Sequence, residues 1–213
     1  MTAKKLAGIV LLIALAFFSF LMLRLSLPYT AMRSDVDFLR TKQNFYHITS
    51  WRWSFYIHVF TSIVVLVAGL TQFSPWILRR YPVVHRAMGW AYLVTVVLIS
   101  GPAAWIMGLY ANGGLPARAS FVLLASLWMV FTFMAGWMVV RRRFVAHGAF
   151  MFRSYALTLS AITLRLYTYF SVFLPLQATP KEIYITTAWL SWVPNLLIAE
   201  MLIHSGWVKK VRR

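Results

Sequence analysis

Cysteine is absent from the sequence, and four Asp and Glu stand against 21 Lys and Arg in 213 residues. Without cysteine there are no disulfides, thiolate metal sites, iron–sulfur clusters or cysteine nucleophiles. With so few carboxylates, paired-acid catalysis is nearly excluded. No Gly-x-Ser-x-Gly, phosphate-binding loop or dinucleotide fingerprint occurs, so no hydrolase or nucleotide site is legible. Charge itself is scarce: 12% of residues are charged, where a soluble domain carries about a quarter.

What is present is apolar. Hydrophobic residues make up 61% of the chain and the mean hydropathy is +0.72. Water cannot solvate such a surface, and the lipid bilayer is the natural solvent. The formal charge of +17 would point to nucleic acid in a soluble protein. Here it reads as cationic loops held on the cytoplasmic side, because Lys and Arg resist translocation. No basic stripe interleaved with exposed aromatics argues for nucleic acid.

Six apolar stretches, near 6–27, 53–73, 86–110, 119–140, 148–174 and 185–207, each supply the roughly 20 residues needed to cross the hydrocarbon. The expected fold is an all-α, polytopic transmembrane bundle forming one domain over 1–213. Lys4 and Lys5 precede the first stretch, as in a signal peptide. Its apolar run is too long for that, so it reads as an uncleaved anchor.

Lys4, Lys5, Arg79, Arg80, Arg86, Arg141 to Arg143, Lys209, Lys210, Arg212 and Arg213 fall on one side of this plan. The other side holds Arg33, Arg40, Lys42, Arg52, Arg118 and Lys181, diluted by Asp35, Asp37 and Glu182. The richer side is expected to be cytoplasmic, giving an N-in/C-in topology. The long loop 28–52 then lies outside. Within it Ser34-Asp35-Val36-Asp37 resembles a helix start. Phe38, Leu39, Phe45, Tyr46, Trp51 and Trp53 suit the membrane interface. Ala111-Asn-Gly-Gly-Leu-Pro116 reads as a turn, and Pro102 and Pro194 as kinks.

Ionisable groups inside hydrocarbon are costly and demand a reason. On the fifth stretch His147, Ser154, Thr158 and Arg165 share one face at about 100° per residue. The second carries His58 and Gln72, and the third opens with Pro82-Val-Val-His85-Arg86. The sixth places Glu200 and His204 one turn apart. Arg153 and Glu200 fall at similar depth and are expected to pair. An inner cluster of Gln72, His85, His147, His204 and that pair results, with an outer one of His58, Arg165 and His47.

Phe55-Tyr-Ile-His58, Gly69-Leu-Thr-Gln72-Phe73, Pro82-Val-Val-His85-Arg86, Gly89 and Tyr92 carry a resemblance. So do His147, Met151, Arg153-Ser-Tyr-Ala-Leu157, Ala161-Ile-Thr-Leu-Arg165, Asn195 and Glu200. Together they resemble a family of predicted bacterial membrane proteins known as a domain of unknown function, from about residue 35 onward. The resemblance implies a bacterial inner-membrane protein and brings no activity or catalytic residues with it.

Four functional readings follow. The first is a b-type haem in a redox role, with His85 and His147 as axial ligands and Arg86, Arg153 or Arg165 meeting propionates. His58 is a further candidate in the cofactor site, and a redox protein or a quinone is the expected partner. Four-helix electron-shuttling cytochromes share this general plan, but here no span carries two ligand histidines a membrane's thickness apart. The second is a metal (Zn, Fe or Cu) held by His85, His147 and His204 with Glu200 nearby. The third is transport along the polar face of the fifth stretch, although the sequence shows no inverted repeat and no paired broken helices. The fourth is a structural subunit without cofactor, its histidines capping helices. Enzymatic activity is left open.

Overall fold

A computed structural model describes residues 3–206 apart from Leu176, and among these every regular element is helical. Trp207 at the end of the sixth stretch, and Lys209, Lys210, Arg212 and Arg213, lie outside the described residues. Four helical segments are long and apolar enough to cross a membrane: Gly8–Ala31, Thr49–Gln72, Pro82–Leu109 and Leu115–Val140. The first takes in most of α1 (Ala3–Ser26) and the 3-10 helix that follows it (Leu27–Ala31), and the others are α2, α3 and α4 in order.

The fifth and sixth stretches are each broken in two. The fifth is α5 (Phe144–Thr158) and α6 (Ser160–Ser171), separated by Leu159. The sixth is α7 (Pro180–Leu190) and α8 (Val193–His204), separated by Ser191 and Trp192. Proline accounts for the second break, since Pro194 sits in the first turn of α8, where its missing N–H costs nothing. At the first, the Leu159 carbonyl accepts from the amides of both Ile162 and Thr163, at 3.0 and 3.1 Å, so the turn is tightened locally.

Local chemistry explains most other boundaries. Pro82 opens α3, and Gly113 and Gly114 turn the chain into α4 at φ of +88° and +77°, which other residues rarely adopt. Thr179 and Glu182 form a reciprocal cap on α7. Inside α3, Thr95–Ser100 is wound as a π-helix just ahead of Pro102, whose ring has no N–H to continue the α ladder. A side chain at Gly101 would run into the Val96 carbonyl and Met129, so the wide turn needs glycine there.

Neighbours in sequence are neighbours in space. α2 packs on α3, α3 on α4, α4 on α5, and α5 on α8, while α6 packs on α7 and α1 leans on α2. The main core, with Val65, Ala68, Tyr92, Val96, Trp128, Ala135, Met151, Tyr155 and Leu157, lies between α2, α3, α4 and α5. Arg79, Arg80 and Arg141 to Arg143 mark one end, the arginine end. Residues 27–48 cover the other.

That cover differs from the expectation. Instead of spreading along an interface, Leu39 and Trp51 are buried at 0% and 1% exposure with Tyr29, Phe55 and Tyr56, and Phe38, Phe45 and Tyr46 pack around them. Trp53 alone of the expected interface set is strongly exposed. Helix does not start at Ser34. The Asp35 carboxylate is held by Arg33 through bonds of 3.0 and 2.6 Å, so it is not used as a cap, and a 3-10 helix begins only at Asp37.

Candidate functional site

Polar and titratable side chains run through the bundle from one end to the other. At the arginine end, His85 in the first turn of α3 and His147 in the first turn of α5 lie within electrostatic reach of each other. His147 Nδ1 lies 2.8 Å from the Ala135 carbonyl of α4. A carbonyl can only accept, so Nδ1 carries the proton and Nε2 is the nitrogen that a metal would take. Among the described residues His85 Nδ1 is buried with no hydrogen-bond partner, while its main-chain carbonyl accepts from Gln72 Nε2 at 3.1 Å. A buried polar atom left unmatched calls for a reason.

Midway, three helices meet in a closed hydroxyl network. The Tyr92 hydroxyl lies 2.8 Å from Ser154 Oγ and 2.7 Å from Thr158 Oγ1. Trp128 Nε1 donates to Thr158 Oγ1 at 2.9 Å, and Thr132 Oγ1 meets Ser154 Oγ at 2.6 Å. Ser154 and Thr158 belong to the face expected from the spacing. Their partners on α3 and α4 were not read from the sequence, because helix periodicity shows which residues share a face and not what they face.

Toward the loop end, His58 Nδ1 lies 3.1 Å from Ser100 Oγ and 3.2 Å from the Ser100 carbonyl, in the π-helical part of α3. The His58 ring meets the Trp128 ring edge-on, with centroids 6.4 Å apart. Arg165, on α6, donates from Nη1 to its own Ala161 carbonyl at 2.9 Å and lies within electrostatic reach of His58 and Tyr29. His47 is exposed in the covering segment, away from the bundle interior.

The expected ion pair forms: Arg153 Nε and Nη2 donate to the two Glu200 oxygens at 2.5 and 2.8 Å. His204 does not join the other histidines. Its side chain is 80% exposed and Nδ1 meets the Glu200 main-chain carbonyl at 2.8 Å. Among the described residues no three His, Asp or Glu side chains gather closely enough to hold a metal ion.

The two helix breaks face each other. Thr163 Oγ1 donates to the Ser191 carbonyl, and Asn195 Nδ2 reaches the Ala156 carbonyl, Thr163 Oγ1 and the Ser191 carbonyl at 3.3, 3.1 and 3.0 Å. Paired broken helices, unseen in the sequence, are therefore present. The signal for one was Pro194. Leu159 carries none, since neither proline nor glycine stands beside it.

A family model described as "Predicted membrane protein (DUF2306)" matches residues 55–203, more than half of the chain. The chain belongs to this family. The family segment takes in His58, His85, Tyr92, His147, Arg153, Ser154, Thr158, Arg165, Asn195 and Glu200, and leaves out α1, the covering segment and His204. The family's description names a membrane location and no activity. No curated protein and no solved structure matches the chain.

Proposed function

We propose that this membrane protein binds a b-type haem between His85 and His147 and works in one-electron transfer. The observation that carries the reading is the His147 ring, fixed by the Ala135 carbonyl, within electrostatic reach of a His85 ring whose buried Nδ1 has no partner among the described residues. Ligand number separates haem from a bare metal. A metal held only by protein needs three or four side chains, and His85, His147, His204 and Glu200 do not gather into such a set. A haem brings four nitrogens of its own and needs only two imidazoles.

The roles of the chain's own groups follow. The Ala135 carbonyl orients His147 and raises its basicity, and Gln72 fixes the main chain at His85. Met88, Phe131 and Phe150, packed against the core nearby, would keep water from the site. Arg86, next to His85 in sequence, would supply positive charge for a propionate, whereas Arg153 is engaged by Glu200. Arg165 and His58 lie at the loop end and are assigned a separate role below. The group when bound supplies reversible uptake of one electron, and a quinone or a redox protein is its partner. The chain crosses a bacterial inner membrane six times as a single domain, counting the two broken helices as the fifth and sixth spans, with both termini cytoplasmic.

A second reading has its own support. Two adjacent helices broken at matching depth, with their breaks joined by Asn195, are the form in which transporters build sites near the membrane centre. On that reading the hydroxyl network from Tyr92 to Thr132 lines a path and no cofactor is bound.

An absorption spectrum of protein purified in mild detergent, before and after dithionite, separates the two. A reducible Soret and α-band, lost in His85→Ala and in His147→Ala and kept in His204→Ala, is the expected result. A featureless visible spectrum from haem-replete cells would reject the haem reading and leave flux assays as the next step.

A further inference from the structure

Arg165 is a cation that no acid balances. The four carboxylates of the chain are Asp35, Asp37, Glu182 and Glu200. Asp35 pairs with Arg33, Glu200 with Arg153, and Glu182 closes the cap at Thr179. Asp37 stays more than salt-bridge distance from Arg165, and among the described residues no ion pair involves Arg165. Among the described residues its one hydrogen bond leads to the Ala161 carbonyl of its own helix, so most of the five guanidinium N–H groups have no acceptor there. Arg165 lies six residues before the end of α6 at Ser171, about 9 Å along the helix axis. At that depth an unbalanced charge is unfavourable in hydrocarbon unless an anion joins it.

The surroundings say what kind of anion. Just toward the middle of the bundle, Met22 of α1, Leu66 of α2 and Ile162 of α6 close the junction of the three helices as a buried apolar floor. Arg165 follows Ile162 on α6, and His58 and Tyr29 lie within its electrostatic reach. Arg165 itself is exposed on the outside of the protein. The flank is strongly apolar, with Leu23, Leu25, Leu27, Tyr169, Phe170 and Phe173 all exposed. A ligand seated there has its oxyanion on a guanidinium fork and its remainder along hydrocarbon-facing side chains.

We propose that Arg165, with His58 and Tyr29 beside it, is a binding site for the oxyanion head of an amphiphile, a carboxylate or phosphate carrying an apolar chain. The site lies at the opposite end of the bundle from His85 and His147 and does not depend on the haem reading. The same oxyanion chemistry is offered by small anions in water, and the flanking apolar surface is what favours the amphiphile.

The test uses the full-length protein in an uncharged detergent and follows thermal unfolding. The probes are sodium oleate and dioleoyl phosphatidate in mixed micelles, with dioleoyl phosphatidylcholine, sodium acetate and sodium phosphate as controls. Oleate or phosphatidate is expected to raise the midpoint of the wild type. The apparent affinity should fall at least tenfold in Arg165→Gln, fall less in Arg165→Lys, and stay unchanged in Arg33→Gln. If Arg165→Gln does not fold, Arg165→Lys and His58→Gln supply the comparison. Acetate or phosphate acting as strongly as the amphiphiles would keep the oxyanion and overturn the amphiphile. Equal responses in wild type and Arg165→Gln, or no response to any anion, would overturn the site.

Discussion

Arg153 of α5 and Glu200 of α8 are joined by two parallel hydrogen bonds, from Nε at 2.5 Å and from Nη2 at 2.8 Å. The guanidinium also lies over the Phe150 ring, 5.2 Å from its centroid, so the pair is held in plane as well as in register. It fastens the second half of the sixth apolar stretch to the first half of the fifth, about one helical turn from the Asn195 contacts at the breaks.

Removing one partner is expected to cost more than breaking a surface pair and less than exposing a fully buried charge, because the side chains keep 20% and 33% of their exposure. Glu200→Gln should destabilise by about 2 kcal/mol, between the ~1 kcal/mol ceiling of exposed pairs and the ~3–5 kcal/mol of buried ones. Arg153→Met combined with Glu200→Leu should lose less than either single change. Unfolding midpoints in detergent report both, and an unchanged midpoint for Glu200→Gln would show that the pair adds nothing.

Tyr92→Phe takes one hydroxyl out of a closed network and leaves Ser154 and Thr158 each short of a partner. The cost is expected at about 1–3 kcal/mol, the range for stranding buried polar groups. Ser154→Ala should be strongly non-additive with it, since both changes break the same contacts. A double-mutant cycle with additive effects would contradict the network.

Lys42 closes the covering segment onto the turn between α3 and α4. Its ammonium donates to the Tyr110 carbonyl at 2.7 Å and to Asn112 Oδ1 at 2.8 Å, and lies near the rings of Phe38 and Phe45. No carboxylate offsets its burial, so desolvation lowers its pKa from 10.5 to about 8, helped by the charge of Arg118. Between these values the unfolded chain binds a proton that the folded chain does not, so this group makes stability rise with pH over that window. Below pH 8 both states are protonated and its contribution is level. Protease resistance of residues 27–48 should therefore increase from pH 7.5 to pH 10, and Lys42→Met should flatten the increase. An equal slope in the variant would remove Lys42 as the cause.

Much of the candidate site was legible before any fold. His147, Ser154 and Thr158 share a face because the helical period puts them there, and two of them enter the buried network. Arg153 and Glu200 were matched by depth, since equal distances from one surface and opposite charge leave few alternatives in hydrocarbon. Tyr92, Trp128, Thr132 and Ser100 were not legible as partners. A Tyr or Trp in an apolar helix gives the same sequence signal whether it packs, anchors at an interface or donates a hydrogen bond.

The sequence by itself determined the membrane character, the helical class and the grouping of Arg79, Arg80 and Arg141 to Arg143 at one end. These depend on summed transfer free energies of residues along the chain, which need no knowledge of neighbours. It also marked Pro82, Pro102, Pro194 and the Gly113-Gly114 turn, where the backbone's own chemistry leaves little choice. Only the tertiary structure decided that the fifth and sixth stretches break at matching depth and that residues 27–48 fold into a buried cover. It likewise separated His204 from His85 and His147, and left Arg165 without an acid. Each of these is a relation between distant residues, fixed when helices pack and polar groups compete for the few partners within reach.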